Sequence, residues 1–163
     1  MTTPVPVGYA GFVTRAVGLV IDAILIAVVA VLTGAAINLV ASLFGHHGGI
    51  NLIEAIFGAA AWGVWSGVYF VMFWTLTGQT PAGRLLGFRV TRPDGGRIGI
   101  ARAVRRFGFM ILSGLALGAG FLPILVDDRR RGLHDLMAGT VVRWDDRSPE
   151  AEAHHDPEPL APS

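Results

Sequence analysis

Three long apolar runs dominate the chain. From Phe12 to Phe44 the only charged residues are Arg15 and Asp22, and Leu52 to Leu76 carries a single charge near its start. Phe107 to Val126 carries none. A helix of about 20 predominantly apolar residues is long enough to cross a bilayer. The pattern therefore predicts two membrane spans, over residues 12–44 and 52–76, and a third apolar segment long enough to be another.

Arginine is unevenly distributed between the connections that join these segments. Residues 46–51 contain none, whereas residues 77–106 contain seven: Arg84, Arg89, Arg92, Arg97, Arg102, Arg105 and Arg106. Cytoplasmic loops are enriched in arginine and lysine, so residues 46–51 are predicted to lie outside the cell and the N-terminus in the cytoplasm. The first segment is predicted to be an uncleaved helix, because its apolar run far exceeds the roughly 7–15 residues of a signal-peptide core.

The third apolar segment is interrupted in its second half by Gly114, Gly118, Gly120 and Pro123. Glycine and proline are residues at which helices kink or end. Arginines flank the segment on both sides, at residues 102–106 and again at 129–131. A broken or re-entrant hairpin keeps both flanks in the cytoplasm and is the favoured prediction, and a single crossing is the alternative.

A small β element is predicted in the cytoplasm. Gly87 to Arg92 alternates apolar and basic residues, Pro93 to Gly96 is a strong turn signal, and Arg97 to Ile100 resumes the alternation, which predicts a β-hairpin. The β-branched run from Gly139 to Trp144 adds a third strand if the C-terminal flank lies on the same side. The predicted fold class is thus an all-α membrane protein with two firm spans, a broken third segment and a cytoplasmic β-hairpin or three-stranded element.

Composition agrees with a membrane protein and excludes several chemistries. Hydrophobic residues make up 52% of the chain and charged residues 15%, with a mean hydropathy of +0.55. The absence of cysteine excludes disulfides, thiolate metal sites and cysteine nucleophiles. No catalytic arrangement stands out, so neither enzyme activity, a cofactor, a metal nor a nucleic-acid partner is expected. Residues 145–163 form an acidic, proline-containing tail that is predicted to be disordered.

The two charges in the first span are its most informative residues, because a charge within a bilayer is costly. Positions seven apart share a helix face but lie about 10 Å apart along the axis, so Arg15 and Asp22 are too distant for a direct ion pair. Arg15 either snorkels to the interface or meets a distant carboxylate. If unpaired, Asp22 suits a proton or cation site; if paired with an arginine, it is a structural bridge. The candidates are Asp127, Asp128 and Asp135 for Arg15, and Arg102, Arg105 and Arg106 for Asp22.

Two glycine pairs have the spacing that allows helices to approach closely. Gly63 and Gly67 lie in the second span, and Gly114 and Gly118 in the third segment, so both pairs are predicted to be packing faces. An aromatic stripe lies on a different face of the second span and is expected to pack in the core or against lipid, or to wall a cavity: Trp62, Trp65, Tyr69 and Phe73.

Several short pieces together resemble the RDD family of small bacterial membrane proteins, over about residues 8–144. The pieces are Ala10-Gly11-Phe12 with Arg15 and Ile21-Asp22, then Gly78-Gln79-Thr80-Pro81 with Arg84-Leu85-Leu86-Gly87-Phe88-Arg89-Val90, then Asp128-Arg129-Arg130-Arg131-Gly132-Leu133-His134-Asp135 and Gly139-Thr140-Val141-Val142. Ala82-Gly83 departs from the Gly-Lys or Gly-Met that commonly follows the Thr-Pro step, so any role of a lysine there is absent.

The resemblance implies which charges matter and what they do. The arginine and first aspartate of the family map onto Arg15 and Asp22, and the second aspartate onto Asp135, with Asp127 as the alternative. Transport of unidentified ligands, including sodium/proton exchange, is implied for the cytoplasmic membrane of a bacterium. The alternative is a structural or accessory subunit in which the same charges lock the fold. Because one copy has few helices, a homo-oligomer or a membrane partner is expected in addition to the lipid bilayer.

Overall fold

The computed structural model describes residues 8–45, 52–116 and 118–145. The predicted outer connection at 46–51 and nearly all of the predicted tail, residues 146–163, lie outside the described residues. Helices predominate, and the elements in chain order are α1 Phe12–Leu43, α2 Leu52–Leu76, α3 Pro81–Leu85, β1 Phe88–Thr91, α4 Ile100–Leu115, a 3₁₀ helix Ala119–Leu125, α5 Leu133–Ala138 and β2 Val141–Trp144.

The two predicted spans are confirmed as helices, since α1 and α2 are long and apolar enough to cross a membrane. The buried residues of α1 are Arg15, Gly18, Asp22 and Ile26, which recur every three or four positions and so form one face. This face carries both charges, whereas the exposed faces are apolar. Such an inside-out arrangement suits a helix whose outer surface contacts lipid.

The β element is a two-stranded antiparallel sheet in which β1 pairs with β2, from Phe88 opposite Trp144 to Thr91 opposite Val141. The predicted hairpin between Gly87–Arg92 and Arg97–Ile100 is therefore wrong, although its turn forms, with the Arg92 amide donating to the Gly96 carbonyl at 2.8 Å. The predicted strand between Gly139 and Trp144 does form, as β2, whereas Arg97–Ile100 forms no strand, so the sheet in the described part of the chain has two strands and not three.

Burial explains why β1 prefers the distant strand. Val141 and Val142 are completely or almost completely buried, so pairing with β2 gives β1 an apolar partner in the core. On the other side of the turn, Ile98 packs into the same core without forming a strand, and Ile100 already begins α4. The local turn signal was correct, but packing decided the partner.

The third apolar segment is broken, in the region where the glycines predicted a break. The axes of α4 and the 3₁₀ helix meet at 105°. Gly118 adopts a left-handed backbone conformation with φ of 81°, which glycine tolerates and other residues rarely adopt. Gly120 packs so closely on Ser113 that an added Cβ would lie 1.9 Å from the serine Oγ. Leu117 lies outside the described residues.

Both flanks of this broken segment meet at one end of the molecule. β1 precedes the segment and β2 follows it, and the two are paired. The start of α1 joins them, because the Ala10 amide donates to the Val142 carbonyl at 3.1 Å. The end of α2 does so too, through the Val90 amide and the Gly78 carbonyl at 2.7 Å. We call this end, formed by α3, β1, α5, β2 and their loops, the cap.

The glycine pairs do not behave as predicted, with one exception. Gly67 contacts the Phe107 ring of α4, which an added Cβ would approach to 3.0 Å. An added Cβ at Gly63, Gly114 or Gly118 would meet nothing within 4 Å among the described residues. Those three glycines therefore make no close helix contact within the described part of one copy.

Candidate functional site

Asp135 lies at the centre of a buried charge network. It is completely buried and is placed by α5, whose first turn turns its carboxylate back toward the Gly132 amide, 3.1 Å away. Its Oδ2 accepts a hydrogen bond of 2.6 Å from the Arg15 guanidinium of α1. Its Oδ1 accepts one from the Arg106 guanidinium of α4. One carboxylate thus connects three helices.

The two arginines are held by further contacts that fix their orientation. Arg15 also donates from Nε to the Ala10 carbonyl at 2.9 Å, and it reaches the Val142 carbonyl at 3.5 Å. Arg106 donates to the Thr140 hydroxyl at 2.8 Å and stacks over the Trp74 ring at 4.8 Å, a cation–π contact. These contacts join α1, α2 and α4 to the cap.

The charges of the network set the pKa values of the acidic and imidazole groups in α5. Burial by itself raises the pKa of Asp135, but Arg106, the neighbouring His134, Arg15 and the Gly132 amide outweigh it and bring the value to about 2. Burial, and then Arg106, lowers the pKa of His134 to about 4. His134 is therefore neutral at neutral pH, and Asp135 is ionised between two guanidiniums.

Asp22 occupies a separate position about two turns further along α1. It is 3% exposed, and its Oδ1 accepts hydrogen bonds from the Tyr69 hydroxyl at 2.7 Å and from the Ala82 amide at 3.2 Å. Its other oxygen, Oδ2, makes no hydrogen bond among the described residues. The expected arginine partner is wrong, because Arg106 turns to Asp135 and a neutral hydroxyl and an amide satisfy Asp22 instead.

The remaining candidate counter-charges have other partners or none. Asp127 binds Arg131 through two side-chain hydrogen bonds of 2.9 and 2.8 Å, so it does not serve Arg15. The Arg131 hydrogen bond is the largest cause of the low pKa of Asp127, about 2. Arg105 donates to the Ala138 carbonyl at 3.3 Å. Neither Asp128 nor Arg102 forms an ion pair within the described part of the chain.

A small cavity lies between the charge network and Asp22. Its volume is about 50 Å³, room for one or two water molecules. Arg15, Asp22, Thr80, Arg106 and His134 line it together with apolar side chains of α2 and the cap. The structure therefore places two of the predicted site residues, Arg15 and Asp22, on one cavity, and the third, Asp135, directly behind it.

Sequence reasoning missed four residues that complete the site. The charges of the site are contacted by Tyr69, Trp74, His134 and Thr140. Although His134 and Thr140 lie in segments that carry the family resemblance, none of the four was predicted to be a site residue. Tyr69 belongs to the aromatic stripe of α2, so its position on one face with Phe73 was visible but its partner was not. Among the described residues no group of three or more His, Asp or Glu could hold a metal ion.

Comparison with known proteins identifies the family of the chain. The family model described as the RDD family matches residues 9–139, which include Arg15, Asp22, Arg106 and Asp135 and end just before Thr140 and β2. The chain belongs to the RDD family. Neither the curated proteins nor the solved structures gave a significant match.

Proposed function

We propose that this RDD protein is a subunit of a cation/proton exchange system of the bacterial cytoplasmic membrane, with Asp22 as the exchange site. The observation that carries the proposal is the position of Asp22. It is a carboxylate buried inside the first span that lines a cavity, and its Oδ2 accepts no hydrogen bond from the residues that the structure describes. Intramembrane carboxylates with these properties are typical of ion and proton pathways.

The charge balance around the cavity supports exchange of one ion for another. Arg15 and Arg106 contribute two positive charges, and Asp22 and Asp135 two negative charges, while His134 is neutral. The site is thus neutral when Asp22 is ionised and empty, and it carries one positive charge when Asp22 holds either a proton or a monovalent cation. Because both ligands need the same carboxylate and produce the same charge, their binding is mutually exclusive.

The other two family charges have a structural role in this proposal. Arg15 and Asp135 are bonded to each other and to several other groups, so neither is available to a moving ion. They hold the start of α1 against the cap and thereby position Asp22 beside the cavity. Arg15 and Asp135 are positioning residues, and Asp22 is the residue that binds the proton or the cation.

Membrane topology follows from the sheet together with the arginine distribution. The paired strands require that both flanks of the third segment lie on one side, which supports a re-entrant hairpin over a single crossing. The arginine-rich cap then lies in the cytoplasm, with the N-terminus beside it. Since the cavity in one copy has room for only one or two water molecules, a continuous pathway needs a second copy or a partner.

A structural or accessory subunit is the second candidate, and one observation favours it. Asp22 already joins three elements, because its Oδ1 accepts hydrogen bonds from Tyr69 of α2 and Ala82 of α3. In that case the carboxylate is a bridge and carries no ion.

Flux measurements on proteoliposomes separate the two candidates. The native protein, Asp22→Asn and the control Asp128→Asn, an exposed acid, are reconstituted at equal amounts of folded protein, and sodium uptake driven by a pH gradient is followed. Exchange predicts uptake in the native protein and in Asp128→Asn, and none in Asp22→Asn. The accessory role predicts no uptake in any of them and a lower melting temperature for Asp22→Asn.

A further inference from the structure

A second concave site lies at the edge of the cap, where α1 begins. We call it the N-terminal groove. Its volume is about 620 Å³, and it opens between the start of α1, the end of the 3₁₀ helix and the end of β2. The residues that line it include Tyr9, Phe12, Thr14, Leu125, Arg130 and Trp144. Arg130 is its one charged residue among those that the structure describes.

Arg130, which lines the groove, has an unusual backbone conformation. Its φ is 49°, in the left-handed region that residues other than glycine, asparagine and aspartate seldom adopt. The turn that holds it there is closed by the Arg130 amide and the Asp127 carbonyl at 2.8 Å. Its guanidinium reaches the start of α1, where an added Cβ on Gly11 would lie 2.8 Å from Nη1.

The neighbouring carboxylate does not neutralise Arg130. Asp127 accepts hydrogen bonds from the amides of Arg129 and Arg131 and from the Arg131 guanidinium. Arg130 forms no ion pair with any described residue. Of the three consecutive arginines, Arg131 is therefore paired within the chain, and Arg130 presents an uncompensated positive charge to the groove. Asp127 and Asp128 line an adjoining opening, which shares Phe12, Leu125 and Arg130 with the groove, and neither forms an ion pair with Arg130.

Apolar side chains continue from the groove toward the membrane spans. Phe12 and Leu125 are 40% and 67% exposed, and next to them Val13 and Val126 are 72% and 85% exposed. Trp144, which closes the groove, is a residue type that prefers the boundary between headgroups and acyl chains. A ligand with a phosphate-containing head and an apolar tail would match both Arg130 and the apolar residues beside the groove.

We propose that the N-terminal groove binds the headgroup of an anionic phospholipid, with Arg130 on the phosphate and an acyl chain along the apolar residues beside it. The proposal rests on the membrane topology proposed above, since it places this edge of the cap at the cytoplasmic interface. It does not depend on ion exchange at Asp22. Arginine suits the ligand, because its planar guanidinium binds phosphate oxygens in pairs.

Native mass spectrometry of the full chain in detergent tests this proposal. Phosphatidylglycerol and phosphatidylcholine are offered at equal mole fractions to the native protein, to Arg130→Gln and to the control Arg97→Gln. Arg97 is exposed and does not line the groove, and its replacement makes the same change in charge. We expect the native protein to retain more phosphatidylglycerol than phosphatidylcholine. The amount of phosphatidylglycerol retained should be about fivefold lower in Arg130→Gln and unchanged in Arg97→Gln.

Four results would overturn the proposal. They are equal retention of the two lipids by the native protein, equal loss in the two variants, release of phosphatidylglycerol by millimolar glycerol phosphate, and a dimer that the lipid displaces. The third would indicate a site for free phosphate esters, and the fourth a site for a second copy. Melting temperatures of both variants within a few degrees of the native protein ensure that lost folding is not mistaken for lost binding.

Discussion

Arg15 and Asp135 are separated by 120 residues of sequence and joined by a hydrogen bond of 2.6 Å between Nη1 and Oδ2. Arg106 binds the other oxygen of the same carboxylate. Each arginine therefore depends on Asp135 for its counter-charge, and the start of α1, α4 and α5 are held together by one side chain.

Replacing Asp135 with asparagine should destabilise the protein strongly. The variant leaves two buried guanidiniums without a counter-charge, for which we expect a loss of about 3–5 kcal/mol in the free energy of unfolding. Thermal unfolding in detergent measures the loss. The control Asp128→Asn removes an exposed acid and should stay within about 0.5 kcal/mol of the native protein. Equal stability of the two variants would contradict the assignment of Asp135 as the centre of the network.

The hydroxyl of Tyr69 should contribute measurably to stability through Asp22. Tyr69→Phe removes the hydrogen bond to Oδ1 of Asp22, and we expect a cost of about 1–2 kcal/mol, because a buried carboxylate loses a donor. The chain offers one other tyrosine, Tyr9, whose hydroxyl makes no hydrogen bond among the described residues, so Tyr9→Phe is the matched control. The same melting temperature in Tyr69→Phe and the native protein would show that the bond contributes nothing.

His134 should make stability fall between pH 6.5 and pH 4. Burial, and then Arg106, lowers its pKa from 6.5 in the unfolded chain to about 4 in the folded protein. Between these values the unfolded chain binds more protons, so the stabilisation is complete above pH 6.5 and is lost as the pH falls toward 4. The expected loss is roughly 3 kcal/mol.

Melting temperatures across this pH range should fall in the native protein and stay nearly flat in His134→Gln. A variant that loses stability with the same slope as the native protein would place the titrating group elsewhere. Below pH 4 both should lose stability further, because Asp135 and Asp127, with folded pKa values of about 2, begin to bind protons in the unfolded chain.

The close contact between Gly120 and Ser113 should make the bend of the third segment sensitive to one methyl group. Gly120→Ala places a Cβ 2.4 Å from the Ser113 Cβ and should cost about 1–3 kcal/mol through overpacking. Gly114→Ala, where the added Cβ meets nothing within 4 Å, should be neutral or stabilising by up to about 1 kcal/mol. Adding Ser113→Gly to Gly120→Ala should restore much of the loss in thermal unfolding. No effect of Gly120→Ala would mean that the 3₁₀ helix does not pack on α4.

The extent of α1 and α2 could be predicted because it depends on the local run of apolar residues, which α2 follows from Leu52 to Leu76. The partner of Arg15 was narrowed to three aspartates, since a buried guanidinium requires an acid. The choice of Asp135 followed from the family resemblance. Its position in the first turn of α5 also places it within hydrogen-bonding distance of a second arginine, Arg106.

The partners of β1 and Asp22 depend on how distant segments pack, which local patterns do not show. The turn at Pro93 favoured a local hairpin, but Val141 and Val142 offered a buried partner that appears only when the chain folds back. Asp22 was predicted to be either unpaired or paired with an arginine, whereas a tyrosine hydroxyl and an amide donate to it. Because these donors are neutral, the charge pattern of the sequence does not indicate them.

The pairing of β1 with β2 requires both flanks of the third segment to lie on one side of the membrane, and single cysteines test this requirement most directly. The chain has no cysteine, so Asp94→Cys before the segment, Asp128→Cys after it and His47→Cys in the predicted outer connection each give one reactive site. Intact cells are treated with a maleimide that does not cross membranes. We predict labelling of His47→Cys alone, and labelling of the other two only after permeabilisation. Labelling of Asp128→Cys but not Asp94→Cys in intact cells would contradict the re-entrant fold. It would also contradict the charge network, because Asp135 would then lie on the opposite side of the membrane from Arg15 and Arg106.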